Sequence, residues 1–269
     1  MHIQRVIESA SGKIGVAVRV LETDDTVSVN GHERFPTFSV YKFPIALAVL
    51  DRVDSGLISL DQKIPVTEKD LLPNTWSPLR QKYPQGSSDI TLDELLNYTV
   101  SLSDNNGCDI LLRLLGGPRV AEKFIRDLGI EGIGIAATEE EMGKGESAYL
   151  PNWSSPDAMT DLLGMLYKGK ILSKQNTQYL LKIMENTSTG PGRIKGLLPP
   201  EAVLAHKTGS SGTSDGVTIA TNDVGIVTLP DGKHFAISVF IADAAAEEKA
   251  CELTIARIAR ILWDAYAAP

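Results

Sequence analysis

The period of the apolar residues switches twice along this chain, and that switch limits what it can fold into. Near the start, Ile14-Gly15-Val16-Ala17-Val18-Arg19-Val20 alternates small or polar residues with β-branched ones, the period-two pattern of a strand. Asp24-Asp25 makes a turn, Thr26-Val27-Ser28-Val29 reads as the hairpin partner, and Phe35-Pro36-Thr37 ends the section because proline breaks the pattern. From Tyr41 to about Pro200 helical signals dominate. After Pro199-Pro200 period two returns in Val203-Leu204-Ala205-His206, Gly225-Ile226-Val227-Thr228-Leu229 and Phe235 to Ile241, the last two joined by the hairpin signal Pro230-Asp231-Gly232-Lys233. Glu247 to Ala265 then places Cys251, Ile255, Ile258, Leu262 and Ala265 on one helical face. Two strands at the start, three at the end and helices between predict an α+β, sandwich-like fold. Its five-stranded antiparallel sheet is formed by both chain termini, with an all-helical lobe inserted. The expected division is 1–35 with 190–269 for the sheet lobe and 36–189 for the helical lobe, and the cleft between them is the default active site.

Within the helical stretch the stops and starts are explicit. Leu92 to Leu96 follows Thr91, a good N-cap with a glutamate at the third helical position. Ile110 to Leu115 ends at Gly116-Gly117-Pro118, a helix stop and restart. Ala158 to Tyr167, after Ser155-Pro156-Asp157, and Lys174 to Glu185 are two further helices. Ala136 to Trp153, rich in glutamate and glycine, has no periodicity, and an irregular segment of that length in a compact domain is a functional candidate.

Composition narrows the function by exclusion. A net charge of −8 argues against nucleic acid and against anionic membrane surfaces as partners. No apolar run approaches the length needed to span a bilayer. Met1-His2-Ile3-Gln4-Arg5 lacks the apolar core of a signal peptide, which leaves a cytosolic chain or a mature form with a start codon added. Cys108 and Cys251 lie far apart, form no metal-type spacing and sit in apolar helical patterns, so buried free thiols are the expectation and a disulfide the alternative. The four histidines are scattered, so hydrolytic chemistry here is expected to use neither a metal nor a His-based triad.

The chemistry gathers around Ser39. It lies just ahead of the apolar helical run Ile45 to Val53, where unpaired backbone N–H groups and the positive end of the helix dipole meet. Lys42, three residues on, shares its helical face and brings an amine to a hydroxyl that must lose its proton before it can attack a carbonyl. Ser103-Asp104-Asn105 occurs once, in a break between helical segments, and Lys207-Thr208-Gly209 occurs once, on an expected strand. Taken singly each has an ordinary structural reading: an N-cap serine with a solvated lysine, a helix N-terminal turn, an exposed strand end. The looser match Ser28-Val29-Asn30 shows how cheaply three residues coincide. In this order and spacing, however, the three form the signature set of serine β-lactamases and penicillin-binding proteins.

On these residues the chain resembles the class A serine β-lactamases along essentially its full length. Asn74-Thr75-Trp76-Ser77-Pro78, Ser103-Asp104-Asn105-Asn106-Gly107-Cys108-Asp109, Thr189-Gly190-Pro191-Gly192-Arg193 and His206-Lys207-Thr208-Gly209-Ser210 look most like its PER/VEB/CblA-type branch, which includes cephalosporinases and extended-spectrum enzymes. The resemblance implies terminal helices flanking the sheet and a hydrolase that opens penicillins and cephalosporins through a serine acyl-enzyme. It also implies no cofactor or metal, small-molecule β-lactams as the partners, a monomer, and a periplasmic or secreted mature form.

Residue by residue, Ser39 is then the expected nucleophile, and its N–H with that of Ser210 the oxyanion hole. Lys42 is the nearest base, and Ser103 relays a proton to the leaving nitrogen. Asn105 holds the substrate side-chain amide and orients Lys42. Lys207, Thr208, Gly209 and Ser210 form the cationic, hydroxyl-lined site for the substrate carboxylate, with Arg193 as the expected fork. Trp76 is the expected aromatic wall of the cleft mouth, with a core tryptophan as the alternative; for Arg193 the alternative is a surface arginine in a Gly/Pro loop. Deacylation needs a glutamate in the irregular segment, and of Thr138-Glu139-Glu140-Glu141-Met142 the branch pattern Glu-x-x-Met selects Glu139, leaving Glu140 and Glu141 solvated. The family's usual asparagine four residues later is replaced by Gly143, which bears on how the water is held. Two other readings stand beside this one: a cell-wall DD-peptidase, and a β-lactam sensor that is acylated without turnover. Both lack a glutamate in that position.

Overall fold

The structure is a computed structural model that describes residues 2–145, 147 and 149–267, so Met1, Glu146, Ala148, Ala268 and Pro269 lie outside the described residues. The chain opens with α1 (His2–Ser9), β1 (Lys13–Val20), β2 (Thr26–Val29) and a two-residue strand β3 (Phe35–Pro36). The strand section does end at Phe35-Pro36-Thr37, with the proline as the last residue of β3 and not outside it. Pro36 needs no N–H where it sits, because β3 pairs only with β7 (Trp153–Ser154), over two residues.

α2 (Lys42–Asp54) is buried on all sides from Lys42 to Leu50, as an apolar run without a polar face must be. Pro44 falls in its first turn, where a missing N–H costs nothing. β4 (Val66–Thr67) pairs with β5 (Gly86–Ser87), and α3 (Pro78–Lys82) lies between them in the chain. α4 (Leu92–Ser101) starts at Thr91, whose hydroxyl accepts the Glu94 N–H at 3.2 Å, a cap worth about 1 kcal/mol. Glu94 does not close the box; its carboxylate instead takes Lys82 Nζ at 2.7 Å and Tyr83 Oη at 2.9 Å. α5 (Asn105–Leu115) stops at Gly116, whose φ of 98° only glycine adopts freely, and α6 (Pro118–Asp127) restarts with proline in its first turn.

β6 (Ile133–Gly134) leads to the irregular segment, which contains one helical turn, α7 (Glu139–Met142), before β7. α8 (Pro156–Tyr167) and α9 (Lys174–Glu185) begin at capping serines Ser155 and Ser173. The chain then returns to the sheet through β8 (Val203–Ser210), β9 (Thr213–Ser214), β10 (Val217–Thr228) and β11 (His234–Ala244), and ends in α10 (Glu248–Tyr266).

The main sheet runs β2-β1-β11-β10-β8, antiparallel throughout, with the short β9 adding a sixth strand beside β10. β10 begins eight residues before the Gly225 expected from the pattern, because Thr221, Asn222 and Asp223 are polar yet fully buried and paired within the ladder. Both faces of the sheet are covered. Val16, Val18, Ile237, Val239 and Ile241 pack with Ile255, Ile258, Leu262 and Trp263 of α10. The alternate residues Ala236, Phe240 and Ala242 belong to the larger core with α2, α4, α5, α8 and α9. This two-sided burial explains why β11 reads as a continuous apolar run instead of an alternating one. Ala265 departs from its expected face and is exposed; Trp263 takes the buried place near the end of α10. Cys108 and Cys251 are both buried and free.

Candidate active site

Ser39 lies in a single 3-10 turn, Phe38–Tyr41, that runs directly into α2 at Lys42. It does not cap the helix; the cap position is Tyr41. Phe38 turns the chain with a φ of 42°, a left-handed conformation uncommon outside glycine. β8 passes so close to this turn that a Cβ at Gly209 would stand 2.4 Å from Thr37 O and 3.2 Å from Ser39 N. Only glycine fits there, and the close passage brings the Ser39 amide alongside the strand that ends at Ser210. Asn222 fastens the same turn to the sheet, its amide donating to Pro36 O at 2.8 Å and Thr37 O at 3.2 Å.

Lys42 is fully buried and its Nζ meets four acceptors: Ser39 Oγ at 2.8 Å, Ser103 O at 2.9 Å, Asn105 Oδ1 at 2.5 Å and Glu139 Oε1 at 2.9 Å. An ammonium has three hydrogens, so one acceptor goes without. Glu139 Oε1 is that one: it is buried and accepts no well-aligned hydrogen bond from a described group. Asn105 turns its oxygen to Lys42 and donates its amide to Thr75 Oγ1 at 2.7 Å. The expected task of orienting Lys42 thus has a contact.

Ser103 has a φ of 57°, which lets its carbonyl face Lys42 while its hydroxyl faces Lys207, whose Nζ donates to Ser103 Oγ at 2.9 Å. Asp104 holds this strained turn by accepting from Gly107 N, Leu79 N and Ser77 Oγ. Burial, and then the neighbouring ammonium of Lys42, keep the Lys207 amine well below the usual lysine range. Lys207 is therefore no exposed strand end.

The cleft has a volume of about 240 Å³ and is walled by Ser39, Ser103, Asn105 and Trp76 on one side and Thr189 with Thr208 to Ser210 on the other. Trp76 is 57% exposed with its Nε1 held by Leu102 O, so it is a wall and not a core residue. The carboxylate side differs from a simple arginine fork. Arg193 is 2% exposed, beneath β8, and its five N–H groups are engaged by Ser210 Oγ, Gly209 O, Asn222 O, Glu248 and Glu252. The cleft itself presents hydroxyls, those of Thr189, Thr208 and Ser210, and both Lys207 and Arg193 stand one layer back.

Three adjacent glutamates take three different roles. Glu139 turns inward to Lys42. Glu140 is exposed and pairs with Lys144 at 3.4 Å. Glu141 is not simply solvated: it closes a capping box, its Oε2 accepting Thr138 N at 2.9 Å while Thr138 Oγ1 accepts Glu141 N. Asp109 fixes the turn from below by accepting Glu139 N at 2.7 Å and Glu140 N at 2.9 Å, and burial pushes its carboxyl up to about 6. Asn152 closes the loop at its base, accepting Ala136 N and Ala137 N and donating to Ala137 O.

Asp109, Asn152, Asn222 and Asp223 escaped the sequence reading. Asp223 accepts from His206 Nδ1 at 2.9 Å and from Ile194 N at 3.1 Å, which holds the residue after Arg193 against the sheet. The available signal was the stretch 217–224, which contains neither glycine nor proline and so cannot be a ready turn. Among the described residues no group of three or more His, Cys, Asp or Glu is arranged to hold a metal ion.

The model of the Beta-lactamase enzyme family matches residues 1–266. The chain is 45% identical to β-lactamase VEB-1 of Pseudomonas aeruginosa over 99% of this chain and 89% of that protein. It is 37% identical to the extended-spectrum β-lactamase PER-1 of the same organism over 98% and 85%. Among solved structures, a β-lactamase from Chitinophaga pinensis DSM 2588 superposes with a TM-score of 0.96 at 53% identity, covering 98% of this chain and 97% of that one. The TLA-3 extended-spectrum β-lactamase gives 0.97 at 48% identity, covering 99% and 97%.

Proposed function

The chain belongs to the Beta-lactamase enzyme family as a class A enzyme that hydrolyses β-lactam antibiotics, a resistance activity, and we propose that it does so through Ser39. The observation that carries the assignment is the contact of one buried ammonium, Lys42, with both a hydroxyl and a carboxylate, Ser39 Oγ at 2.8 Å and Glu139 Oε1 at 2.9 Å. A lysine acts as base only when neutral, and Glu139 stands where it can take the lysine's proton. Ser39 Oγ then attacks the lactam carbonyl, its proton passing to Lys42, and the oxyanion lies between the amides of Ser39 and Ser210. Ser103, backed by Lys207, hands a proton to the leaving nitrogen and recovers one relayed from Lys42, which takes back the proton held by Glu139, so the carboxylate is ionised again before deacylation. The hydroxyls of Thr208 and Ser210, with Gly209 between them and Arg193 behind, receive the substrate carboxylate, and Asn105 and Trp76 bracket the side chain.

Deacylation reverses the traffic. Glu139 takes a proton from water, the water oxygen bonds to the acyl carbon, and the bond to Ser39 Oγ breaks as the serine regains its proton. A carboxylate poised for water distinguishes this reading from a DD-peptidase or a sensor acylated once. We further read the chain as a monomeric, exported enzyme of two lobes, 1–35 with 190–269 and 36–189, acting on penicillins and cephalosporins. The net charge of −8 supports the exclusion of nucleic acid. Among the described residues no helix is long and apolar enough to cross a membrane.

The test is turnover of a chromogenic cephalosporin, with intact-protein mass spectrometry alongside. Many turnovers by the wild type, with neither turnover nor acyl adduct in Ser39→Ala, support the assignment. An adduct in Ser39→Ala would refute it, and a single stoichiometric burst by the wild type would favour the sensor.

A further inference from the structure

A second cavity, of about 260 Å³, lies behind Glu139, between residues 72–75 on one side and Glu139, Glu140, Gly143 and Lys144 on the other. Glu139 contributes to its wall and not to that of the substrate cleft. Pro73, Asn74, Glu140 and Lys144 at its rim are exposed, so the cavity opens to solvent. The hydrogen bond from Asn105 Nδ2 to Thr75 Oγ1 joins the walls of the two spaces.

Gly143 has no conformational reason to be glycine. Its φ is −70°, and a Cβ there would meet only Glu140 O at 3.5 Å and Glu139 O at 3.6 Å, ordinary contacts. What the missing side chain does is leave the cavity unfilled. A covalently held acyl group would occupy the cleft beside Ser39, and the second cavity offers water a separate approach to Glu139.

We propose that this cavity is the supply route for the hydrolytic water, which reaches Glu139 past Gly143 from the side opposite the substrate cleft. The inference rests on Glu139 as the deacylating base. Acylation, which consumes no water, is then independent of the cavity.

The experiment measures acylation and deacylation separately, by stopped-flow kinetics and by the lifetime of the acyl adduct in mass spectrometry. It uses Gly143→Leu, which fills the cavity from the helical turn, and Asn74→Phe, which fills it from the exposed opposite wall without touching that turn. Both variants are expected to slow deacylation about tenfold or more and to keep acylation within about twofold. Wild-type deacylation in both variants overturns the route, as does an equal slowing of both steps. A KM change that tracks the size of the substrate side chain, with deacylation unaltered, also overturns it, because the cavity then houses substrate. Glu139→Gln is run in parallel: if it fails to trap the adduct, the assignment of the base falls, independently of the cavity variants.

Discussion

Lys42 Nζ and Glu139 Oε1 stand 2.9 Å apart, yet the lysine's three hydrogens are directed to Ser39, Ser103 and Asn105. The carboxylate thus has charge complementarity without a hydrogen bond, which keeps its lone pairs open to a proton from elsewhere. Glu139→Gln keeps the shape and removes the base. We expect acylation to continue in some measure and deacylation to fail, giving one product per enzyme and a stable adduct in the mass spectrum. Glu140→Gln should turn over nearly as wild type. Glu141→Gln should also turn over, with a loss of stability of about 1 kcal/mol at most, since glutamine can still complete the capping box. Trapping by Glu140→Gln instead would mean that the wrong glutamate has been chosen.

Gly209→Ala tests the approach of β8 to the turn that carries Ser39. The added methyl would sit 2.4 Å from Thr37 O, so the turn or the strand must move. A displacement of about 1 Å in a reacting group costs on the order of a hundredfold, and kcat/KM is expected to fall by at least that. An alanine variant with near wild-type kcat/KM would show that the two segments are not held at this distance in the working enzyme.

Arg193→Ala removes five hydrogen bonds and leaves Glu248 and Glu252 facing a buried gap. Breaking such a partly buried set costs roughly 3 kcal/mol of stability. Loss of the support behind Ser210 is expected to raise KM by about ten- to a hundredfold for substrates that carry the carboxylate. Chemical denaturation and steady-state kinetics read the two effects separately. A KM within about twofold of wild type would mean that Lys207 and the hydroxyls hold the carboxylate without Arg193.

Asp109 gives the loop a pH dependence of known sign. Its carboxyl is raised from 3.8 to about 6 because burial penalises the charged form. A raised acid is favoured in the folded state while protonated, so its contribution to stability is complete below 3.8 and is lost as pH rises through about 6. Asp109→Asn removes that group, and the stability difference between wild type and variant should change by roughly 2–3 kcal/mol across the window. Urea unfolding of both proteins between pH 4 and 7 measures it. Parallel pH profiles would show that Asp109 does not titrate in this range.

Much of this architecture was legible because it is written in local pattern. The period switches at Tyr41 and Pro200 mark the helical insertion, and Thr91, Gly116 and Ser155 act at the helix ends where their types predict. The site residues lie in short motifs whose spacing is itself the chemistry, as with Ser39 and Lys42. What was illegible depends on partners far along the chain. A Gly-Pro loop around Arg193 reads as surface, and only the packing of α10 buries it beneath Glu248 and Glu252. Asn222 and Asp223 are buried polar residues whose partners, His206, Ile194 and the turn that carries Ser39, lie far away in sequence. Trp153 hid a short strand because its partners, at Ile133–Gly134 and Phe35–Pro36, are each only two residues long.

The pairing of β1 with β11, from Lys13 against Ala242 to Val20 against Phe235, has a consequence for biosynthesis. The first strand leaves the ribosome early, and the strand that completes it is among the last parts of the chain to be translated. At ordinary elongation rates the interval is roughly 10–45 s. During it the helices of the insertion can form from near neighbours, whereas β1 has one open edge and apolar residues on both faces. Nascent chains interrupted before β11 therefore share one liability, an unpaired sticky strand near the N-terminus.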